Sequence, residues 1–146
     1  MSLILFEDKA DCYSFSSGVA PTILGGISKM EKYPCPCCGY CVFEQATGSY
    51  NICPICFWED DEFQLTYPFA IGANRVNLFV AQNNFLVLRT SEEKFIKLVR
   101  TPLSKDMQDP DWRTLDIEKD IIRTSEEKKY WLQHNNPDLY YWRWNK

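Results

Sequence analysis

Two Cys-x-x-Cys pairs, Cys35-Pro-Cys-Cys38 and Cys53-Pro-Ile-Cys56, stand 14 residues apart in a chain of 146. Each pair places two thiols on one side of a tight turn, and a chain that folds back brings the turns together. Four thiolates about 2.3 Å from one ion form the closed tetrahedral shell that Zn²⁺ takes in structural sites. The assignment is Cys35, Cys38, Cys53 and Cys56. Proline follows the first cysteine of both pairs and fixes φ there, and Gly39 after Cys38 lets the backbone turn. The competing pair Cys38-x-x-Cys41 has neither feature at those positions. Cys37 is then a spectator inside a turn. Cys41 is expected to face the core of a hairpin as a small buried hydrophobe, and Cys12 takes no assigned role. Zinc is preferred to iron because no redox-partner motif accompanies the cysteines.

Seven cysteines need a compartment that keeps them reduced. The first residues, Met-Ser-Leu-Ile-Leu-Phe and then Glu7 and Asp8, lack the basic leader and cleavage site of a secretory signal. No apolar run approaches the roughly 18 residues of a membrane-spanning helix. A soluble, cytoplasmic protein is expected, in which clustered thiols hold metal instead of pairing. The formal charge of −4 argues against a general nucleic-acid binder, which needs a cationic surface.

The text between the pairs reads as a hairpin: Tyr40–Phe43 and Ser49–Ile52 favour strands and flank the Gly-containing turn Ala46–Ser49. Asn77 is placed to cap a helix over Leu78, Ala81, Phe85 and Leu88, which are spaced three and four apart. Thr90-Ser-Glu-Glu93 has the capping-box pattern and predicts a second helix carrying Phe95, Leu98 and Val99. A third is predicted from Ile117 to Leu132, stopped by Asn135-Asn-Pro137. The string Arg-Thr-Ser-Glu-Glu-Lys occurs at 89–94 and again at 123–128, an offset equal to a tetratricopeptide period. The aromatic and small residues of such a repeat are missing, so the copies read as two separate helix starts. With 45% hydrophobic residues the chain can build a core. The expected fold class is α+β: a small zinc ribbon, a β-hairpin with two cysteine knuckles, packed against roughly three helices.

Tyr33-Pro-Cys-Pro-Cys-Cys-Gly-Tyr40, Gly48-Ser-Tyr50, Ile52-Cys-Pro-Ile-Cys-Phe-Trp-Glu-Asp-Asp61, Gln64, Pro68 and Gly72-Ala-Asn74 together resemble the bacterial CPCC-type cysteine-rich family. The resemblance runs from about Tyr33 to Phe85 and more weakly to Trp112. It implies a zinc-ribbon-like protein and names no activity. On this reading residues 1–30 are an N-terminal extension, 31–112 the zinc-ribbon domain, and 113–146 a helical and aromatic C-terminal extension.

A complete four-sulfur shell leaves zinc no position for water, so a non-enzymatic protein is expected. Zinc with four thiolates carries a formal −2, and the carboxylates Glu59, Asp60, Asp61 and Glu62 come directly after the second pair and Phe57-Trp58. With Trp58 as an anchor, this run is the candidate face for a basic protein partner. By analogy with small acidic proteins, that role is the neutralising of a toxic or regulatory partner. The alternative for the run is a solvated helix start. A nucleic-acid-associated ribbon would need Arg75, Arg89, Lys94, Lys97 and Arg100 on one face. A thiol–disulfide enzyme would use Cys37 or Cys41, but lacks the strand-to-helix setting that activates a thiol. His134 is the one histidine and has no catalytic company. The aromatics Tyr140, Tyr141, Trp142 and Trp144 read as a cover for the domain more readily than as base-stacking platforms.

Overall fold

The computed structural model describes residues 32–120 and 139–143. Two short strands, β1 (Tyr33–Pro34) and β2 (Cys41–Phe43), pair antiparallel with Tyr33 opposite Phe43 and Pro34 opposite Cys41. The first cysteine turn is therefore itself the hairpin loop. This corrects the expected pairing of Tyr40–Phe43 with Ser49–Ile52. Tyr50 sits at φ 62, in the left-handed region, which interrupts any extended run there. Its amide donates to the Asp60 carbonyl, and the Asp60 amide donates to the Asn51 carbonyl. Ile52 bridges to Glu59. Each cysteine turn is thus closed by its own flanks, and the expected single ribbon becomes two small loops side by side.

Helix α1 (Glu62–Thr66) starts at Asp61, whose side chain accepts from the Phe63 amide, and it buries Gln64 and Leu65. Helix α2 (Leu78–Leu88) is capped by Asn77 as the sequence predicts, with Oδ1 accepting from Val80 N at 2.8 Å. It buries Leu78, Ala81 and Phe85 at the predicted spacing and Gln82 besides, while Leu88, expected on the same face, is only half-buried. Arg89 ends it in the left-handed conformation.

The capping box at Thr90 does not form. The buried Thr90 hydroxyl lies 3.2 Å from the carbonyls of Cys56 and Glu92, and the Ser91 amide donates to Cys56 O at 2.8 Å. The second cysteine turn has taken the residues expected to start a helix. Glu93–Leu98 is a 3₁₀ segment instead, with no side-chain cap and no buried residue. Helix α3 (Ile117–Asp120) supplies the first turn of the expected third helix. The rest of that helix, its Asn135-Asn-Pro137 stop and the second Arg-Thr-Ser-Glu-Glu-Lys copy lie outside the described residues. So do residues 1–30, Cys12, His134 and Trp144.

The core gathers the cysteines, Phe43, Ile55, Trp58 and the inner faces of α1 and α2. Leu115, Tyr140, Tyr141 and Trp142 belong to the same cluster, so the described residues past Trp112 share the core of the cysteine-rich part. The aromatic tail covers the domain. Gln82, wholly buried, holds three segments at once. Its Nε2 donates to Pro36 O at 2.9 Å and to the Tyr141 hydroxyl at 3.0 Å, and its Oε1 accepts from Leu115 N at 2.8 Å. Tyr141 donates in turn to the Arg113 carbonyl. Buried Asp109 accepts from Trp142 Nε1 at 3.1 Å and from Arg143 at 2.6 Å. Among the described residues no helix is long and apolar enough to cross a membrane.

Because buried groups deprived of a partner carry a full desolvation cost, Gln82→Ala is expected to lower stability by about 2 kcal/mol or more. The exposed neighbour change Asn83→Ala should stay within about 0.5 kcal/mol. Urea unfolding of both variants checks the difference.

Candidate metal centre

The two cysteine turns repeat one hydrogen-bond pattern. In the first, Cys35 N donates to Tyr40 O at 2.9 Å and Gly39 N to Cys35 O at 2.7 Å. In the second, Cys53 N donates to Trp58 O at 2.9 Å and Phe57 N to Cys53 O at 2.8 Å. The residue after each second cysteine has a positive φ, 81° at Gly39 and 69° at Phe57. Glycine meets that demand freely, whereas Phe57 carries a strain of about 1–2 kcal/mol. Gly39 answers a second demand as well. A Cβ there would lie 2.6 Å from the Trp112 ring, which crosses the turn and donates from Nε1 to Pro36 O at 2.9 Å.

The turns bring Cys35, Cys38, Cys53 and Cys56 together with all four sulfurs within 4.8 Å of one another and buried. Cys35 Sγ and Cys56 Sγ are 3.6 Å apart, and Cys38 Sγ and Cys53 Sγ 3.7 Å. A tetrahedron with metal–sulfur bonds of about 2.3 Å has edges of about 3.8 Å, so these separations fit a metal shell. They are far longer than a disulfide bond of about 2.05 Å. The amides of Ile55 and Cys56 point at Cys53 Sγ from 3.3 and 3.4 Å. The donor set therefore suits a thiophilic divalent ion.

The charges agree. Burial pushes the thiols of Cys35, Cys38 and Cys56 well above their ordinary range. Burial acts the same way on Cys53, but hydrogen bonds from the other three sulfurs outweigh it and hold that thiol low. Burial thus works against negative charge on these sulfurs, and a cation among them would offset it. Cys37 is buried beside this set without joining it. Cys41, expected as a free thiol in the hairpin core, is instead half-buried and disulfide-bonded.

The expected partner face at Trp58, Glu59, Asp60, Asp61 and Glu62 is corrected. Trp58, Asp60 and Asp61 are interior, and only Glu62 is exposed. Asp60 accepts from the Ser49 hydroxyl at 2.7 Å, the Ser49 amide at 3.2 Å and the Thr47 hydroxyl at 3.2 Å. Asp61 caps α1 and accepts from Ala73 N at 2.8 Å. Gln64 and Asn74 complete this buried network, with Gln64 Oε1 accepting both the amide and the side-chain NH₂ of Asn74 at 2.9 Å. Asn74 then brackets the backbone of Glu59, accepting from its N–H and donating to its carbonyl. Gly72 is required here, because a Cβ would come 2.4 Å from Asp61 Oδ2. The Asp60 and Asp61 carboxylates pin neighbouring loops beside the second cysteine turn.

Comparison with known proteins agrees with the pattern of turns. The family model described as Cysteine-rich CPCC matches residues 33–106, which is 74 of the 146 residues. No curated protein and no solved structure matches the chain.

Asp60 gives a test with a definite sign. Burial raises its pKa above the ordinary 3.8, against the lowering effect of the Ser49 and Thr47 hydrogen bonds. The folded protein therefore holds this proton more tightly than the unfolded chain does. The charge opposes folding at neutral pH, and that opposition fades as pH falls through the raised pKa. Asp60→Asn keeps an acceptor oxygen without the charge, so it should match or exceed the wild-type stability at pH 7, with the margin shrinking in acid. Asp60→Ala should lose about 1–3 kcal/mol by orphaning the Ser49 donors. Denaturant unfolding at several pH values distinguishes the two.

Proposed function

The chain belongs to the cysteine-rich CPCC family, and from that premise we propose that Cys35, Cys38, Cys53 and Cys56 bind one Zn²⁺ that serves the fold and not a reaction. The supporting observation is the buried set of four sulfurs with near-tetrahedral separations. Such a shell offers zinc no open position for water or substrate. A thiol–disulfide role is disfavoured because all five free described cysteines are buried, while exchange needs an accessible thiolate. A nucleic-acid role is disfavoured by net charge and by pairing. Of the five candidate cations, Arg100 is tied to Asp106 at 2.7 Å and Lys94 to Glu92 at 3.5 Å.

A reducing cytoplasm suits the five free thiols, and Cys41 is the described cysteine whose state it would change. Protein binding is a second reading, at a different place. The exposed residues Leu86, Val87, Ile96 and Leu98 lie on α2 and the adjoining 3₁₀ segment. Apolar side chains of that kind favour an apolar partner over the basic one expected from the sequence.

Protein produced in medium containing both zinc and iron should carry one zinc per chain by elemental analysis and native mass spectrometry. Cys56→Ser should lose most of the metal, and Cys37→Ser should retain it. Stoichiometric iron, or metal content that survives Cys56→Ser, would contradict this reading.

A further inference from the structure

A cleft of about 180 Å³ opens beside the second cysteine turn, with Ile52, Phe57 and Phe95 as its apolar part. The Phe57 and Phe95 rings are in contact, their centroids 4.2 Å apart. Phe57 reaches this place from a left-handed backbone, at the position where the equivalent turn has glycine. The second cysteine turn sets that backbone, and so fixes where the Phe57 ring stands.

Four charged side chains line the same cleft. Glu92 and Lys94 satisfy each other at 3.5 Å, and Lys94 Nζ also lies 5.2 Å from the centre of the Phe95 ring. Glu59 and Arg75 are different. They share the cleft without pairing with each other, and neither side chain has a hydrogen bond or ion pair among the described residues. The Glu59 backbone is fixed by Asn74, the neighbour of Arg75, so the two charged stems spring from one rigid junction.

An unpaired carboxylate and an unpaired guanidinium, set around an aromatic surface, match a ligand with an ammonium, a carboxylate and an apolar group. The volume is below the roughly 300–1,000 Å³ of drug-sized pockets and excludes nucleotides and larger cofactors. We infer that this cleft is a binding site for a small zwitterion of the α-amino-acid class, with Arg75 taking the carboxylate, Glu59 the ammonium, and Phe57 and Phe95 the apolar side chain. The site shares Ile52 and Phe57 with the second cysteine turn but uses none of the four clustered sulfurs.

The test is titration of the full-length, metal-loaded protein with L-phenylalanine, monitored by saturation-transfer NMR and calorimetry. 3-Phenylpropionate, which lacks the ammonium, and 2-phenylethylamine, which lacks the carboxylate, serve as comparisons. Saturable binding of phenylalanine is expected, weakened about tenfold or more in each comparison compound and in each of Glu59→Gln and Arg75→Gln. Metal content and near-ultraviolet circular dichroism of both variants should match the wild type, which separates lost binding from lost folding. No binding of phenylalanine at about 10 mM would overturn the inference. Equal binding of either comparison compound, or unchanged affinity in both folded variants, would overturn it as well.

Discussion

Four sulfurs from two turns, separated by 14 residues of intervening chain, meet within 4.8 Å in a space closed to water, and the other packing is arranged around that meeting. The described regular structure is slight: strands of two and three residues, and one α-helix longer than five. So little hydrogen-bonded framework gives a weak basis for a fold of its own. A structural zinc site contributes about 10–16 kcal/mol of binding free energy, comparable with the whole net stability of an ordinary domain at about 5–15 kcal/mol. Such an ion, bound as proposed, would be a sufficient cause for two small loops to stay side by side.

Around this centre many buried polar groups find partners, although Trp58 Nε1 and Ser91 Oγ have none among the described residues. The carbonyls of the turns are matched one by one: Pro36 O by Gln82 and Trp112, Cys38 O by Gln108, Cys56 O by Thr90 and Ser91. The carboxylates of Asp60, Asp61 and Asp109 gather amides, hydroxyls and an arginine from distant segments. Such contacts add modestly to net stability when made and cost heavily when broken. Their effect is to fix one arrangement of loops that carry little secondary structure.

The clustering of Cys35, Cys38, Cys53 and Cys56 is legible in the sequence because the turns that produce it are local. Two turns, each with proline after its first cysteine, declare their own geometry, and Asn77 before an apolar run at helical spacing declares α2 in the same way. The failures share a cause. The residues that override a local preference do so through partners far along the chain. Thr90 has a capping-box sequence, yet its hydroxyl goes to Cys56, 34 residues earlier. Ser49–Ile52 favours a strand, but its partner is the exit from the second turn. The acidic run resembles a solvated face since nothing in its own text reveals that Ser49, Ala73 and Asn74 close over it. Asp61, one residue ahead of a short helix, and the small or amide residues Gln64, Gly72 and Asn74 are the available hints. Pairing at such distances needs the fold, not the sequence window.

The most direct measurement is thermal unfolding of the full-length protein, monitored by near-ultraviolet circular dichroism, before and after the metal is stripped with a strong chelator under reducing conditions. The account predicts that the stripped protein loses its aromatic signal and its cooperative transition, and that one equivalent of Zn²⁺ restores both. A metal-free protein that keeps the same spectrum and melts at the same temperature would contradict it.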